Sequence, residues 1–454
     1  MNESHRPGVT CSLAAPARPA SRRLVAGLLA LAVFLLFAVS GGMLWELGLN
    51  YNGITGAMGS KIHPATYVAV AAVLLYLVAH RNPAAFLPKL VDEHRGAFLL
   101  LVATSAVFIF VVLGHRPGPA GLVDTFMLPA TLALMMGDID ERNMRRLETL
   151  LHLLLACNAL LTLFEFVSGI RFFPYRFDGE PLIDTRPEGL LNHPLENATA
   201  TGCYIAILLA GGGSLRGALR WPIISLQWAA LIASGGRTAS VLMTLFIAAT
   251  MLRRGFAVCC GARLDRFAWI AAAAGLGLIG AGIAALEFVG FFDALAQRFA
   301  DDGGSAQSRL QMFEIFAYLP MRDILLGPDV ELVDSVRRAQ GLALGIENPL
   351  VRFVLYQGAV ATFVMVAALT LFLRQLMGGL RRGYLLPLVF FLLVIMSFES
   401  LSSKSIMLAQ FTILMGVMFR QPANAAARRF APAVSRAPLL EVAPASAAAA
   451  RTAL

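Results

Sequence analysis

Charge is scarce in this chain. Only 14% of its 454 residues are Asp, Glu, Lys or Arg, against about 25% in an ordinary soluble domain. A charge content this low, beside 58% hydrophobic residues, excludes a water-soluble globule of the usual kind. Cysteine is scarce too. Of five, Cys11, Cys259 and Cys260 fall in polar segments expected in the cytoplasm, and Cys157 and Cys203 lie inside apolar runs. That placement implies no disulfide framework. The adjacent pair Cys259-Cys260 has no metal-ligand spacing and reads as small apolar filler.

Metal motifs and internal repeats are missing as well. Asp138-Ile139-Asp140 has a metal-binding look, but it sits in a short turn beside Arg142, Arg145 and Arg146 and reads as a solvated charged loop. Asp301-Asp302 precedes two glycines and reads as a turn. The sequence therefore implies no metal and no cofactor. Without a repeat, an inverted-repeat transporter loses its usual signature.

Long apolar runs are abundant. They recur from Leu24 to Phe419, with a mean hydropathy of +0.71. Each run approaches the roughly 20 residues that span a bilayer. The expected fold is all-α, a polytopic membrane bundle of about twelve helices. The spans fall near 24–40, 64–80, 97–114, 120–136, 148–169, 197–213, 220–234, 238–252, 267–290, 350–373, 385–400 and 405–419. Residues 1–22 read as a cytoplasmic N-terminal tail, 23–420 as the membrane domain, and 421–454 as a disordered tail rich in Ala, Pro and Arg. With the N-terminus inside, most of the 37 Lys and Arg residues fall on the inner side, as orientation by positive charge requires. Both termini are then cytoplasmic. The net charge of +9 reflects this loop bias rather than nucleic-acid binding.

Two outside loops are long. Residues 170–196 carry an aromatic run from Phe172 to Phe177 and then Arg186-Pro187-Glu188-Gly189. Residues 291–349 form the largest polar segment, with an amphipathic stretch, Ser308 to Phe316, whose apolar positions are Leu310, Phe313 and Phe316. Arginines held outside against the charge rule suit the binding of an anionic group, because the guanidinium fork matches phosphate oxygens.

Arg237 is the strongest of these arginines. It follows Ser234-Gly235-Gly236 at the turn of an apolar hairpin, Trp221 to Leu252. Two full spans need about 40 residues; this hairpin is shorter, which recesses the turn into a cavity within membrane depth. Charge at that depth marks function, and the glycines let backbone N–H groups approach a ligand. The alternative is an Arg snorkelling from a helix end. Arg186 and Arg309 alone read equally as solvated loop charges. Asn348-Pro349 suits a helix start, with Asn as cap and Pro at the first helical position. Glu347 before it gains from the helix dipole, or serves as a general base at the mouth of the cavity. His193, in Asn192-His193-Pro194, is a reserve acid or base, or else a polar turn residue.

These segments, in order, resemble the O-antigen ligase and Wzy-type polysaccharide polymerase superfamily. Arg186-Pro187-Glu188-Gly189 resembles its Arg-x-x-Gly segment, and Ser234-Gly235-Gly236-Arg237-Thr238-Ala239 its Ser-x-x-Arg-Thr-Ala hairpin. Ser308-Arg309-Leu310 with Leu326-Gly327 resembles its large-loop arginine and Gly turn. Glu347-Asn348 and Gly358 match the spacing of its His-Asn…Glu-x-Gly element. Two departures stand out: Glu347 occupies the His position and Tyr356 the later Glu. The His is the proposed base of the ligases, so its replacement favours the exopolysaccharide polymerase branch.

The resemblance implies a glycosyltransferase C-type fold in a bacterial inner membrane. It also implies metal-independent glycosyl transfer on the periplasmic face, between undecaprenyl-pyrophosphate-linked oligosaccharides as donor and acceptor. Arg237 and Glu347 would be catalytic; Arg186, Arg309, Asn348 and His193 would bind substrate. Membrane lipid and other polysaccharide export proteins are the implied partners. Two alternatives stay open on the sequence: a ligase transferring the glycan to lipid A core, and a flippase or transporter of lipid-linked oligosaccharides.

Overall fold

The computed structural model describes residues 19–421, except 54, 81, 138, 182–185, 192, 216, 262–279, 281–286, 288–304 and 343–344. Most of the span expected near 267–290, the Asp301-Asp302 turn, residues 1–18 and the tail after Gln421 lie outside the described residues, while Pro19 to Arg22, expected in the N-terminal tail, already belong to the first helix. The chain separates into two compact units, Met1–Arg420 and Gln421–Leu454. All the helices named below belong to the first unit.

The first unit is helical. Its helices are α1 (Pro19–Ala38), α2 (Gly41–Glu46), α3 (Pro64–Val78), α4 (Pro83–Glu93), α5 (Arg95–Leu113), α6 (Pro119–Leu122), α7 (Leu128–Met136) and α8 (Glu141–Ser168). Then follow α9 (Pro194–Leu209), α10 (Gly217–Ala233), α11 (Arg237–Cys259), α12 (Ser305–Glu314), α13 (Met321–Leu326), α14 (Val330–Ala339), α15 (Pro349–Gln357), α16 (Ala359–Gly378), α17 (Leu385–Ile395) and α18 (Met407–Met418). A π-helical turn, Val123–Met127, joins α6 to α7, and a two-residue hairpin pairs Arg176–Phe177 with Glu180–Pro181.

Among the described residues, six helical segments are long and apolar enough to cross a membrane: Ser21–Ala38, Arg95–Leu113, Pro119–Met136, Glu141–Ser168, Arg237–Cys259 and Ala359–Gly378. Four shorter apolar helices accompany them. Many of their large apolar side chains face outward, such as Val102, Leu153, Leu252 and Phe363. A bundle surrounded by lipid tails has no reason to hide them.

Helix starts follow local chemistry. Proline occupies the first turn of α3, α9 and α15, where its missing N–H is not needed. The residues before them, His63, His193 and Asn348, cap the orphan N–H groups with their side chains. Helix α9 is the central strut. Every residue from Pro194 to Leu209 is buried except Leu195, and α9 packs against α10, α11, α17 and α18.

The two ends of the bundle are distinct. At one end His63 Nε2 meets Val39 O at 3.2 Å, Gln357 Nε2 donates to Pro117 O, and Ser405 Oγ donates to Glu196. At the other, Gln375 links Gly96 and Glu93, Gly213 N donates to Met418 O, and Leu380 bridges Arg420. The described residues of the loops that the charge rule puts outside gather at the first end.

Three expectations need correction. The span expected over 350–373 is broken. Gly358 (φ +88°) divides α15 from α16, and a Cβ there would stand 2.5 Å from Gly327 N. The close passage of the large loop over that glycine forces the break. The span expected over 385–400 ends at Ile395, and turns Ser397 to Ser403 lead into α18. The hairpin around Arg237 is not short: α10 and α11 extend it to Gly217 and Cys259. Length alone therefore does not recess its turn.

The large loop makes a small core of its own. Met312, Ile315, Leu319, Val333, Leu342, Ile346, Val351 and Leu355 pack together. The buried stripe of α12 and the 3-10 turn after it is thus Met312 and Ile315. Leu310 (71% exposed) and Phe313 (54% exposed), expected on the apolar face, point away from it. Arg116, after α5, ties the loop down by donating to the carbonyls of Gly327, Pro328 and Tyr356 at 2.9 to 3.1 Å.

Candidate functional site

The segment Arg186 to Leu190 is fastened to the bundle through its backbone. Glu165, buried near the end of α8, accepts from Glu188 N (3.0 Å) and Gly189 N (2.9 Å). Asn158 Oδ1 accepts from Leu190 N at 2.8 Å, Asn158 Nδ2 donates to Asn197 Oδ1, and Asn197 Nδ2 donates to Thr162 Oγ1. Gly189 is in the left-handed region (φ +60°). A Cβ there would stand 2.5 Å from Asn158 Oδ1, 2.6 Å from Thr162 Oγ1 and 3.2 Å from Asn197 Nδ2. Charge-assisted bonds from buried N–H groups to a carboxylate contribute about 1.5–3 kcal/mol each. The loop bearing Arg186 is therefore rigid where it meets α9.

The Arg237 turn meets the same part of α9. Ser234 Oγ turns back to Leu231 O at 2.7 Å, and Gly235 has φ +72°. Gly236 lies so close to α9 that a Cβ would stand 2.5 Å from Ala198 Cβ. Ala198 is four residues into α9, about 6 Å below its first residue. This contact, rather than a short hairpin, lowers the turn. Arg237 opens α11, is half-buried, and makes no hydrogen bond or ion pair with a described residue. Gly189 and Gly236 thus press on the neighbouring residues Asn197 and Ala198, and the segments that bear Arg186 and Arg237 meet at the start of one helix.

Aromatic and acidic groups stand over that start. Tyr175 packs edge-on against His193 at 5.3 Å between ring centroids. Burial pushes the Tyr175 hydroxyl well above its ordinary value, with Glu196, Glu399 and Glu188 adding to the push. His193 Nδ1 accepts from Leu195 N at 3.2 Å, so half of its ring is committed to capping. The loop bearing Tyr175 is held from the side, where Asp178 accepts from Asn50 Nδ2, Thr55 N and Thr55 Oγ1 at 2.8 to 3.0 Å.

Glu347 and Asn348 approach from the large loop. Asn348 Oδ1 caps α15 by accepting from Leu350 N (3.0 Å) and Val351 N (3.1 Å). Its oxygen has the structural duty that the sequence suggested. Glu347 is exposed. Two residues before it, a Cβ on Gly345 would stand 3.0 Å from Glu399 Oε2, and Glu399 is paired with Arg352 of α15. Glu347 therefore emerges beside an established carboxylate–guanidinium pair. Tyr356 donates to Asp334 Oδ1 at 2.5 Å, and Asp334 also meets Arg337 at 3.3 Å. Burial, with Asp334 beside it, pushes the Tyr356 hydroxyl up to about 12. That residue ties α15 to α14. Arg309 lies on α12; its side chain falls outside the described residues, so its expected role has no geometry here.

Several polar residues of this end escaped the sequence reading: Asp124, Glu165, Glu196, Arg352, Glu399 and Lys404. Four of them had a legible signal. Asp124, Glu165, Glu399 and Arg352 interrupt runs read as spans, and ionisable residues there are costly and so point to function. No group of His, Cys, Asp and Glu among the described residues is arranged to hold a metal ion.

A cavity of about 650 Å³ runs along the bundle between α15, α16 and α17. Pro349 and Phe353 line one end, Met377 and Leu385 the other, with Met365 and Leu388 between. From Thr362 to Met377, α16 alone covers about 22 Å. The lining is almost wholly apolar, and one end opens beside Asn348.

The chain matches no protein-family model, and none of the curated proteins or solved structures compared with it is significantly similar.

Proposed function

We propose that this chain is a polymerase of undecaprenyl-pyrophosphate-linked repeat units in bacterial exopolysaccharide synthesis. It sits in the inner membrane with about twelve spans and a C-type glycosyltransferase architecture, both termini in the cytoplasm and the site in the periplasm. The observation that carries the reading is the meeting of the segments that bear Arg186 and Arg237, through Gly189 and Gly236, on the first turns of α9, at the end of an apolar bundle. As the glycosidic bond of the donor breaks, negative charge develops on its pyrophosphate. Fixed guanidinium groups stabilise that charge without proton transfer. The acceptor hydroxyl attacks the anomeric carbon and loses its proton to Glu347. Tyr175 offers a ring to a sugar. The apolar lining of the cavity along α16 suits part of a polyprenyl tail.

Glu347 in place of His is the residue that favours polymerase over ligase. A flippase is disfavoured because Arg237 and the long loops share one end of the bundle, which suits one-sided chemistry. Membranes carrying the chain should extend a supplied lipid-linked repeat. The Glu347→Gln protein should do so about 10²–10⁴ times more slowly, the usual contribution of a general base. A full rate with Gln would reduce Glu347 to a helix-start residue. A repeat left unextended by the unaltered chain would contradict the function.

A further inference from the structure

Lys404 stands apart from the arginine site. Its loop is stapled on both sides: Thr125 Oγ1 donates to Ser403 O and accepts from Ser405 N, both at 3.1 Å, and Ser405 Oγ donates to Glu196 Oε1 at 2.9 Å. A Cβ on Gly121 of α6 would stand 3.4 Å from Lys404 Cα. The turn that ends in Lys61 packs on the same α6. Lys404 Nζ lies 3.7 Å from the centroid of the Tyr51 ring, a favourable cation–π placement.

The Lys404 ammonium donates to no acceptor and pairs with no carboxylate among the described residues. Asp124 is near enough to act on it, yet both Asp124 oxygens are already taken by Thr66 Oγ1 (2.7 Å), Tyr51 OH (3.2 Å) and His63 N (3.0 and 3.2 Å). Burial lowers the Lys404 ammonium to about 8; Asp124 and Glu196 oppose the fall and Lys61 adds to it. A largely desolvated ammonium with three unused donors, and a second ammonium acting on it, suits a ligand with more than one negative charge.

Its position is distinct from that of Arg237. Successive residues turn by about 100° around a helix. Glu196 faces the Lys404 loop, whereas Ala198, two residues on, faces Gly236 and Arg237. The two cationic groups flank the start of α9 on opposite sides, about one helix diameter or 10 Å apart. We propose that Lys404, with Lys61 and the Tyr51 ring, forms a second diphosphate subsite, which holds the diphosphate of the acceptor lipid while Arg186 and Arg237 hold that of the donor. The naming of the acceptor rests on the polymerase reading, since a polymerase must hold two lipid diphosphates at once. The subsite itself rests on the residues around Lys404.

The test follows acylation of Lys404 by an amine-reactive ester at pH 8, read by mass spectrometry on the full-length protein in detergent. Inorganic pyrophosphate is the first probe, with a polyprenyl diphosphate and phosphatidylglycerol in separate arms. Pyrophosphate at ten times its Kd should slow Lys404 acylation about tenfold by mass action. The slowing should persist in Arg237→Gln, and polyprenyl diphosphate should protect at lower concentration. Unchanged acylation with pyrophosphate overturns the proposal. So does protection lost in Arg237→Gln, which would put the ligand in the arginine site. Stronger protection by phosphatidylglycerol than by either diphosphate overturns it too, making Lys404 a headgroup contact. Lys404→Gln removes no hydrogen bond among the described residues, so its polymer assay reads acceptor binding: KM for the acceptor should rise with kcat little changed. Loss of polymerase activity in the unaltered chain would sink the polymerase reading while leaving the pyrophosphate result to stand or fall alone.

Discussion

Replacing Arg237 with Ala will stop chain growth and leave lipid-linked single repeats to accumulate. Arg237 is half-buried at the first position of α11 and makes no hydrogen bond or ion pair with a described residue. A half-buried cation with no hydrogen bond or ion pair among the described residues adds little to the fold, so its removal should leave the protein folded. On the polymerase proposal, what it loses is stabilisation of the leaving pyrophosphate. Single electrostatic contacts of this kind are worth about 10²–10³ in rate. Gly236 makes the placement possible by bringing the turn against Ala198, and a Cβ there would push the turn off α9. The Arg237→Lys protein should recover only part of the rate, since an ammonium cannot reproduce the bidentate fork. The measurement is the length distribution of lipid-linked glycan in membranes. Normal chain lengths in Arg237→Ala would mean that Arg237 only ends a helix.

Gly189→Ala will destabilise the protein by about 2–5 kcal/mol. Of this, about 1–2 comes from holding an L-residue in the left-handed region and about 1–3 from crowding a packed interior. The added methyl would meet Asn158, Thr162 and Asn197, the three side chains that hold the Arg186 loop on α8 and α9. Gly211→Ala is the control. Gly211 has φ +84°, but nothing lies within 4 Å of where its Cβ would be. It should incur the backbone term alone. Thermal unfolding in detergent separates the two, and equal losses would mean that the Asn158–Thr162–Asn197 network is not packed around Gly189.

The membrane-helix character was legible because apolar runs declare themselves by length. The helix starts at His193-Pro194 and Asn348-Pro349 were legible because capping is a local matter. The break at Gly358 was not, because its cause is remote in sequence: Gly327 of the large loop passes over it. The α10–α11 hairpin was misjudged at its inner end, where Arg220, Arg253 and Arg254 interrupt the hydropathy although the helices continue. In the site, Arg186 and Arg237 were found by charge in the wrong place, and the structure brings their segments together on α9. Lys404, Glu196 and Asp124 were passed over. Each is one charged residue in an apolar setting, and only folding brings them near Tyr51.

Reconstitution tests the central claim most directly. The purified chain is placed in vesicles with a lipid-linked repeat as both donor and acceptor. The account predicts longer lipid-linked glycan and released undecaprenyl pyrophosphate, without added metal. Vesicles in which the repeat crosses the membrane unextended, or is transferred only when lipid A core is supplied, would contradict it.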